Sequence, residues 1–257
     1  MTQPNTLEKF RDNKLVFTVA TGRCGTAFFA EILRLVPGAE SLHEPEPEYA
    51  DVLREVQGNP EKARDFLIER KLPAIAAQSS SIYIETSHLF CKGFLEPLLE
   101  MGIVPALLWI RRDHRAVASS MFRAGTIPGR TDKGLRFYLS PGDPGVLNLS
   151  GWHALHDYQL CYWYCLEIER RGREYRELYL ANNWLWAETS LEDINTVAGL
   201  RQVIDDLELP KLNMINWLRY LNNRRRKVNP TSVHKQRIAL PANLDELELQ
   251  VRERVAG

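Results

Sequence analysis

The sequence has no excess of either charge: its 257 residues carry 33 Lys and Arg against 33 Asp and Glu. A domain that grips nucleic acid through its phosphates shows itself as basic, so a general nucleic-acid surface is not expected. Cysteine is scarce, four residues in all. Cys24, Cys91, Cys161 and Cys165 form neither a C-x-x-C pair nor a zinc spacing, and no metal site is expected. Cys161 and Cys165 lie one helical turn apart in an aromatic segment and are expected to be core thiols. No apolar run approaches the ~18 residues of a membrane span. No basic, apolar and cleavage-site series opens the chain, so no secretory leader is expected either. Together these absences point to a soluble protein of a reducing, cytoplasmic compartment. No internal repeat or low-complexity tract interrupts the chain, and its length suits one large α/β domain with a substantial core.

What the chain does have is concentrated first in Leu15 to Val36. Val16-Phe17-Thr18-Val19 alternates as a buried strand does, and Phe28, Phe29, Ile32, Leu33 and Val36 follow helical spacing. Between them lies the turn Thr21-Gly22-Arg23-Cys24-Gly25-Thr26. A strand, a glycine-bearing turn and a helix present successive backbone N–H groups to an anion, and the helix start adds its partial positive charge. Gly22 and Gly25 permit close approach, Arg23 supplies a cation and Thr26 a hydroxyl. The stretch reads as a phosphate cradle. It is not the NTPase P-loop, whose G-x-x-x-x-G-K-[ST] is longer and ends in Lys-Ser/Thr.

Other strand ends carry polar groups too. Ala39 to Leu42 reads as a short strand running into His43-Glu44-Pro45-Glu46-Pro47, a loop stiffened by its prolines. Ligands of open α/β sheets lie beyond the carboxyl ends of the strands, which puts Glu44 near the cradle with His43 beside it. Residues 47–72 read as one or two amphipathic helices, the second starting at Asn59-Pro60. Ile82 to Glu85 is a third strand, ending in Thr86-Ser87-His88, and a helix is expected from Cys91 to Met101. Val104 to Ile110 is a continuous apolar run, the mark of a central parallel strand. It leads to Arg111-Arg112-Asp113, where Asp113 is an expected N-cap and Val117 and Met121 face the core. Arg112 leaves the strand end, and Ser120 lies two turns along the helix.

The remainder is plainer. Arg123 to Ser150 is rich in Gly and Pro and lacks periodicity; long connections of this kind are lids, binding loops or disordered. Trp152 to Arg171 is an aromatic helix, assigned to packing. A strand is expected near Ala187, with Glu188 as a structural carboxylate. Helices follow over Asp193 to Leu207, over Asn213 to Arg226 with the cluster Arg224-Arg225-Arg226-Lys227, and over Leu244 to Val255.

The two leading motifs resemble those of the PAPS-dependent sulfotransferases, closer to the bacterial and carbohydrate-type members. In that family a T-x-[RK]-S-G-T-like turn between strand and helix holds the 5′-phosphosulfate; here Cys24 replaces the usual Ser, and Ala27 a residue that is often Thr. An R-[DN]-P-R-x-V-x-x-S segment grips the 3′-phosphate. Arg112 and Ser120 keep its spacing, while His114 replaces the Pro. The resemblance runs from Val16 to about Pro210 and is loose near Glu188 and Leu191. It implies one α/β domain over residues 1–257, three-layered around a central parallel sheet with nucleotide-kinase-like P-loop topology. Residues 123–150 would be a lid or acceptor-site insertion, and 228–257 a tail and helix.

The same resemblance implies PAPS as co-substrate and PAP as product, held by Gly22, Arg23, Cys24, Gly25, Thr26, Ala27, Arg112 and Ser120. The sulfuryl group would pass to a hydroxyl, or secondarily an amine, of a small-molecule or carbohydrate acceptor, without a metal. Arg23 would stabilise the charge in transfer. Glu44 takes the position of the general base, and His88 is its rival, since cytosolic members carry a histidine after a strand in a K-T-H context and the sequence here is E-T-S-H. The 224–227 cluster occupies the place of a late basic loop that completes the 3′-phosphate site. Two other functions stay open: an ATP-dependent small-molecule kinase, and a protein that binds PAP or a related nucleotide without catalysis.

Overall fold

Strand alternation here builds a sheet buried on both faces. The computed structural model describes residue 10, residues 13–224 and residues 238–256. Five strands, β1 Lys14–Ala20, β2 Ala39–Leu42, β3 Ile82–Glu85, β4 Ala106–Arg111 and β5 Trp186–Ser190, pair in the order β2-β3-β1-β4-β5. Every pairing is parallel. On one face Phe17, Val19, Tyr83, Leu107 and Trp109 meet the larger core. On the other Val16, Ala20, Ile84, Leu108 and Ile110 meet the second. This is a three-layer α/β fold, and the apolar run of β4 is continuous because both its faces are covered.

The helices divide between the faces. Helix α1, Thr26–Leu33, packs Phe28, Phe29, Ile32 and Leu33 into the second core. The larger core takes the helices that follow β2: α2 Leu53–Gly58, α3 Glu61–Phe66 and α4 Leu72–Ala76. It also takes α5 Leu95–Glu100 and α6 His114–Arg123. After a short α7, Asp132–Phe137, comes the longest helix, α8 Asp157–Ala181. It buries Tyr158, Tyr162, Trp163 and Tyr164, so its aromatic residues are packing. The four cysteines are all buried and free. Then come α9 Leu191–Ile194, α10 Val197–Asp206, α11 Met214–Asn223 and α12 Leu244–Ala256. Among the described residues no helix is long and apolar enough to cross a membrane.

Several boundaries differ from those the sequence suggests, each for a local reason. The helix expected from Cys91 begins only at Leu95, because Gly93 sits at φ 104°, in the left-handed region. The helix expected from Trp152 begins at Asp157: His156 caps it in a reciprocal box with Gln159, a role histidine rarely signals in a sequence. That helix also runs on to Ala181, ten residues past the expected Arg171. The helix expected over 193–207 is two, since Ser190 caps α9 and Thr196 caps α10. Within 123–150, the short α7 interrupts a connection that is otherwise irregular, as expected, and side-chain anchors hold it in place. Arg54 clamps Asp143 through two bonds, at 2.9 and 3.1 Å, and also donates to the Tyr138 carbonyl.

Parallel pairing has one consequence for function. The carboxyl ends of β1, β2, β3 and β4 open on a single edge, so the cradle, Glu44, His88 and Arg112 are brought to one side of the sheet.

Candidate functional site

The cradle is built by backbone conformation. Gly25 caps α1 at φ 97°, ψ 21°, a left-handed geometry that glycine adopts without penalty. The first ladder bonds run from the amides of Phe28 and Phe29 to the Gly25 carbonyl, at 2.8 and 3.2 Å. The amides of Thr26 and Ala27 therefore precede the ladder, at the positive end of the helix. A left-handed residue followed by a helical one forms a concave nest of N–H groups. Gly22 is required for closeness: a β-carbon there would meet the Tyr138 ring at 2.7 Å. Arg23 itself holds φ 69° and Glu44 φ 45°, conformations uncommon for residues with a side chain. Strained backbone of this kind gathers at functional sites.

Around the cradle lies a cavity of about 520 Å³, a size suited to a nucleotide-sized ligand. Its lining includes Gly22, Arg23, Gly25, Thr26, Ala27, Glu44, His88, Arg112 and Ser120. Arg23 Nε donates to Ser120 Oγ at 3.1 Å, and Arg112 donates to the Arg23 carbonyl. Asp113 accepts from the Ala116 amide at 2.8 Å, fixing the start of α6 and with it the position of Ser120. Two guanidinium groups, a hydroxyl and a helix start thus converge on one space. Such a donor set suits a ligand carrying more than one anionic group.

Cys24 takes part differently from its neighbours. Its side chain is wholly buried in the second core, away from the cavity, and burial pushes its thiol up to about 12. Only its backbone can serve the cradle. Of the basic cluster, Arg224 lines the cavity and donates to the Asn195 carbonyl at 3.0 Å. Arg225, Arg226 and Lys227 lie outside the described residues.

The carboxylate side of the cavity is a chain of titratable groups. Glu44 Oε1 is buried and without a hydrogen-bond partner among the described residues. It lies 3.5 Å from His88 Nε2, and Glu44 Oε2 lies 3.9 Å from His43 Nε2. Burial raises the Glu44 carboxyl above its ordinary range, against the opposing pull of His43 and Lys92. Burial, with Lys92 adding to it, lowers His88 well below the usual imidazole value. His43 Nδ1 donates to the Thr86 carbonyl at 2.8 Å, because a carbonyl can only accept.

Residues that the sequence left unmarked support this side. Lys92 is completely buried, with Nζ 2.9 Å from His88 Nδ1 and a hydrogen bond to the Phe137 carbonyl. Burial pulls its ammonium down to about 7. Lys71 is buried as well and donates to Glu85 Oε1 at 2.9 Å and to the Pro45 and Pro47 carbonyls at 3.1 Å. It thereby ties the Glu44 loop to the end of β3. Tyr138 lies against His88 with ring centroids 5.5 Å apart. With Phe137, it carries the 123–150 segment to the wall of the cavity. A lysine in an amphipathic stretch reads as solvated, so neither Lys71 nor Lys92 had a sequence signal beyond its apolar neighbours.

No protein-family model matches the chain, and no curated protein matches it.

Proposed function

We propose that the protein is a PAPS-dependent sulfotransferase. The observation that carries this reading is the convergence of Arg23, Arg112 and Ser120 on the Gly22–Ala27 cradle, facing Glu44 and His88 across one cavity. The order β2-β3-β1-β4-β5, with the cradle following its middle strand, supports the expected nucleotide-kinase-like topology. The donor set fits a nucleotide with anions at two ends. The cradle amides and Arg23 would hold the phosphosulfate, while Arg112 and Ser120 would hold the 3′-phosphate.

When bound, PAPS supplies an activated sulfuryl group. The chain supplies position and charge. Amides of the cradle and the Arg23 guanidinium lower the energy of negative charge that builds on the leaving phosphate oxygen. Glu44 Oε1, raised by burial and without a hydrogen-bond partner among the described residues, takes the proton of the acceptor hydroxyl. Its raised affinity for a proton brings it nearer the working pH of a general base. Phe137 and Tyr138 wall the acceptor side with aromatic surface, the surface a small-molecule or sugar acceptor would lie against.

The test is transfer of ³⁵S from labelled PAPS to a panel of phenols, alcohols and sugars. Labelled product with the wild type and none with Glu44→Gln supports the reading. Equal labelling by the two proteins would remove Glu44 from the chemistry. No labelling by either, with firm PAP binding, would favour a protein that holds the nucleotide without catalysis.

A further inference from the structure

The two histidines beside Glu44 both present Nε2 to it, but their Nδ1 atoms have opposite partners. His43 gives Nδ1–H to the Thr86 carbonyl. His88 has its Nδ1 against Lys92, at 2.9 Å. We infer that Lys92 is a positioning residue that fixes the tautomer of His88: its ammonium donates to Nδ1, so the ring proton sits on Nε2, the atom facing Glu44.

The surroundings of Lys92 account for each of its three N–H bonds. One goes to the Phe137 carbonyl and one to His88 Nδ1. The third is left to the faces of Tyr138 and Tyr164, both 5.1 Å from Nζ to the ring centroid. Aromatic faces attract an N–H or a cation and repel a lone pair, so the site suits a donor in every direction. The backbone that carries Lys92 is itself pinned. Gln57 of α2 donates to its carbonyl at 2.9 Å, and Arg171 of α8 to the Cys91 carbonyl at 3.3 Å. Lys92 is therefore set where it is, and the imidazole must adapt to it.

The charged and titratable groups facing the pair come from several elements. They are Glu44 and His43 after β2, Arg23 in the cradle, Cys91 beside Lys92, Arg54 on α2 and Arg171 on α8. Glu44 prefers an N–H opposite it, and the cations disfavour a charged imidazole; both favour a neutral His88 with Nε2–H. The consequence bears on the choice of base, and in this it rests on the proposed function. A ring nitrogen that already holds a proton cannot take one from the acceptor. Glu44 is left as the proton acceptor, with His88 Nε2 3.5 Å from its Oε1.

The tautomer can be measured without substrate. The full chain, labelled with ¹⁵N-histidine, is examined by long-range ¹H–¹⁵N correlation of its six imidazoles at pH 6.5. His88→Gln and His43→Gln variants identify the two sets of signals. His88 is expected to show a protonated Nε2 and a bare Nδ1, and His43 the reverse. Lys92→Met should convert His88 to a mixture of tautomers, and Lys92→Arg should retain the single form. A protonated Nδ1 on His88 in the wild type overturns the inference, as does an unchanged pattern in Lys92→Met. The wild-type spectrum decides the matter even if Lys92→Met fails to fold. Absence of PAP binding alongside the expected tautomer would refute the functional reading and leave the role of Lys92 standing.

Discussion

At Gly22 the chain has no room for a side chain, because the Tyr138 ring occupies the place of a β-carbon. Gly22→Ala should displace that ring and lower stability by ~1–3 kcal/mol, the usual range for overpacking. Thermal unfolding checks it, and Tyr138→Leu in the same chain should recover part of the loss. Arg112→Ala should weaken PAP at least tenfold, since a charge-assisted hydrogen bond is worth about 1.5–3 kcal/mol; equal affinity would remove Arg112 from the 3′-phosphate site. Glu44→Gln should lower turnover by about 10²–10⁴-fold with PAP affinity unchanged. Most cavity-lining residues were legible, because glycines in a turn and an Arg-Ser pair at fixed spacing are local patterns. Cys24 belongs to the cradle through its backbone, and no local pattern shows which way its side chain turns. Its neighbours in sequence face the cavity, while its own side chain turns into the core.

Elements carry the site through contacts that no local pattern reveals. The π-helical stretch Leu67–Lys71 reaches, through Lys71, Glu85 at the end of β3 and the carbonyls of Pro45 and Pro47, with Tyr83 donating to the other Glu85 oxygen at 2.8 Å. Lys71→Met would leave Glu85 buried and uncompensated, and stability by denaturant unfolding should fall by ~3–5 kcal/mol. Combining it with Glu85→Leu should restore most of the loss, because a buried pair and an apolar pair of like volume are of similar stability. Strands were legible where alternation or an apolar run marked them: β2 and β3 fall where the sequence puts them. Helix ends were less so. Gly93, His156 and Thr196 set them through a backbone angle and two caps, and a histidine cap has no distinctive spacing.

At the scale of the molecule, two apolar cores supply the stability and buried ionisable groups make it depend on pH. Lys92 titrates at about 7 in the fold and at 10.5 when unfolded. Between those values the unfolded chain binds the extra proton, so the Lys92 contribution to stability rises with pH. Denaturant unfolding at pH 7 and pH 8.5 should show wild type gaining on Lys92→Met by about 1 kcal/mol per pH unit. Parallel gains in both proteins would deny the shift.

The central claim is that this sheet edge binds a nucleotide with a 3′-phosphate, and calorimetric titration with PAP beside ADP plus Mg²⁺ tests it most directly. The account predicts PAP binding much tighter than ADP binding, with the difference lost in Arg112→Ala. Equal binding of the two nucleotides, or preference for ADP with Mg²⁺, would contradict it and point to a kinase.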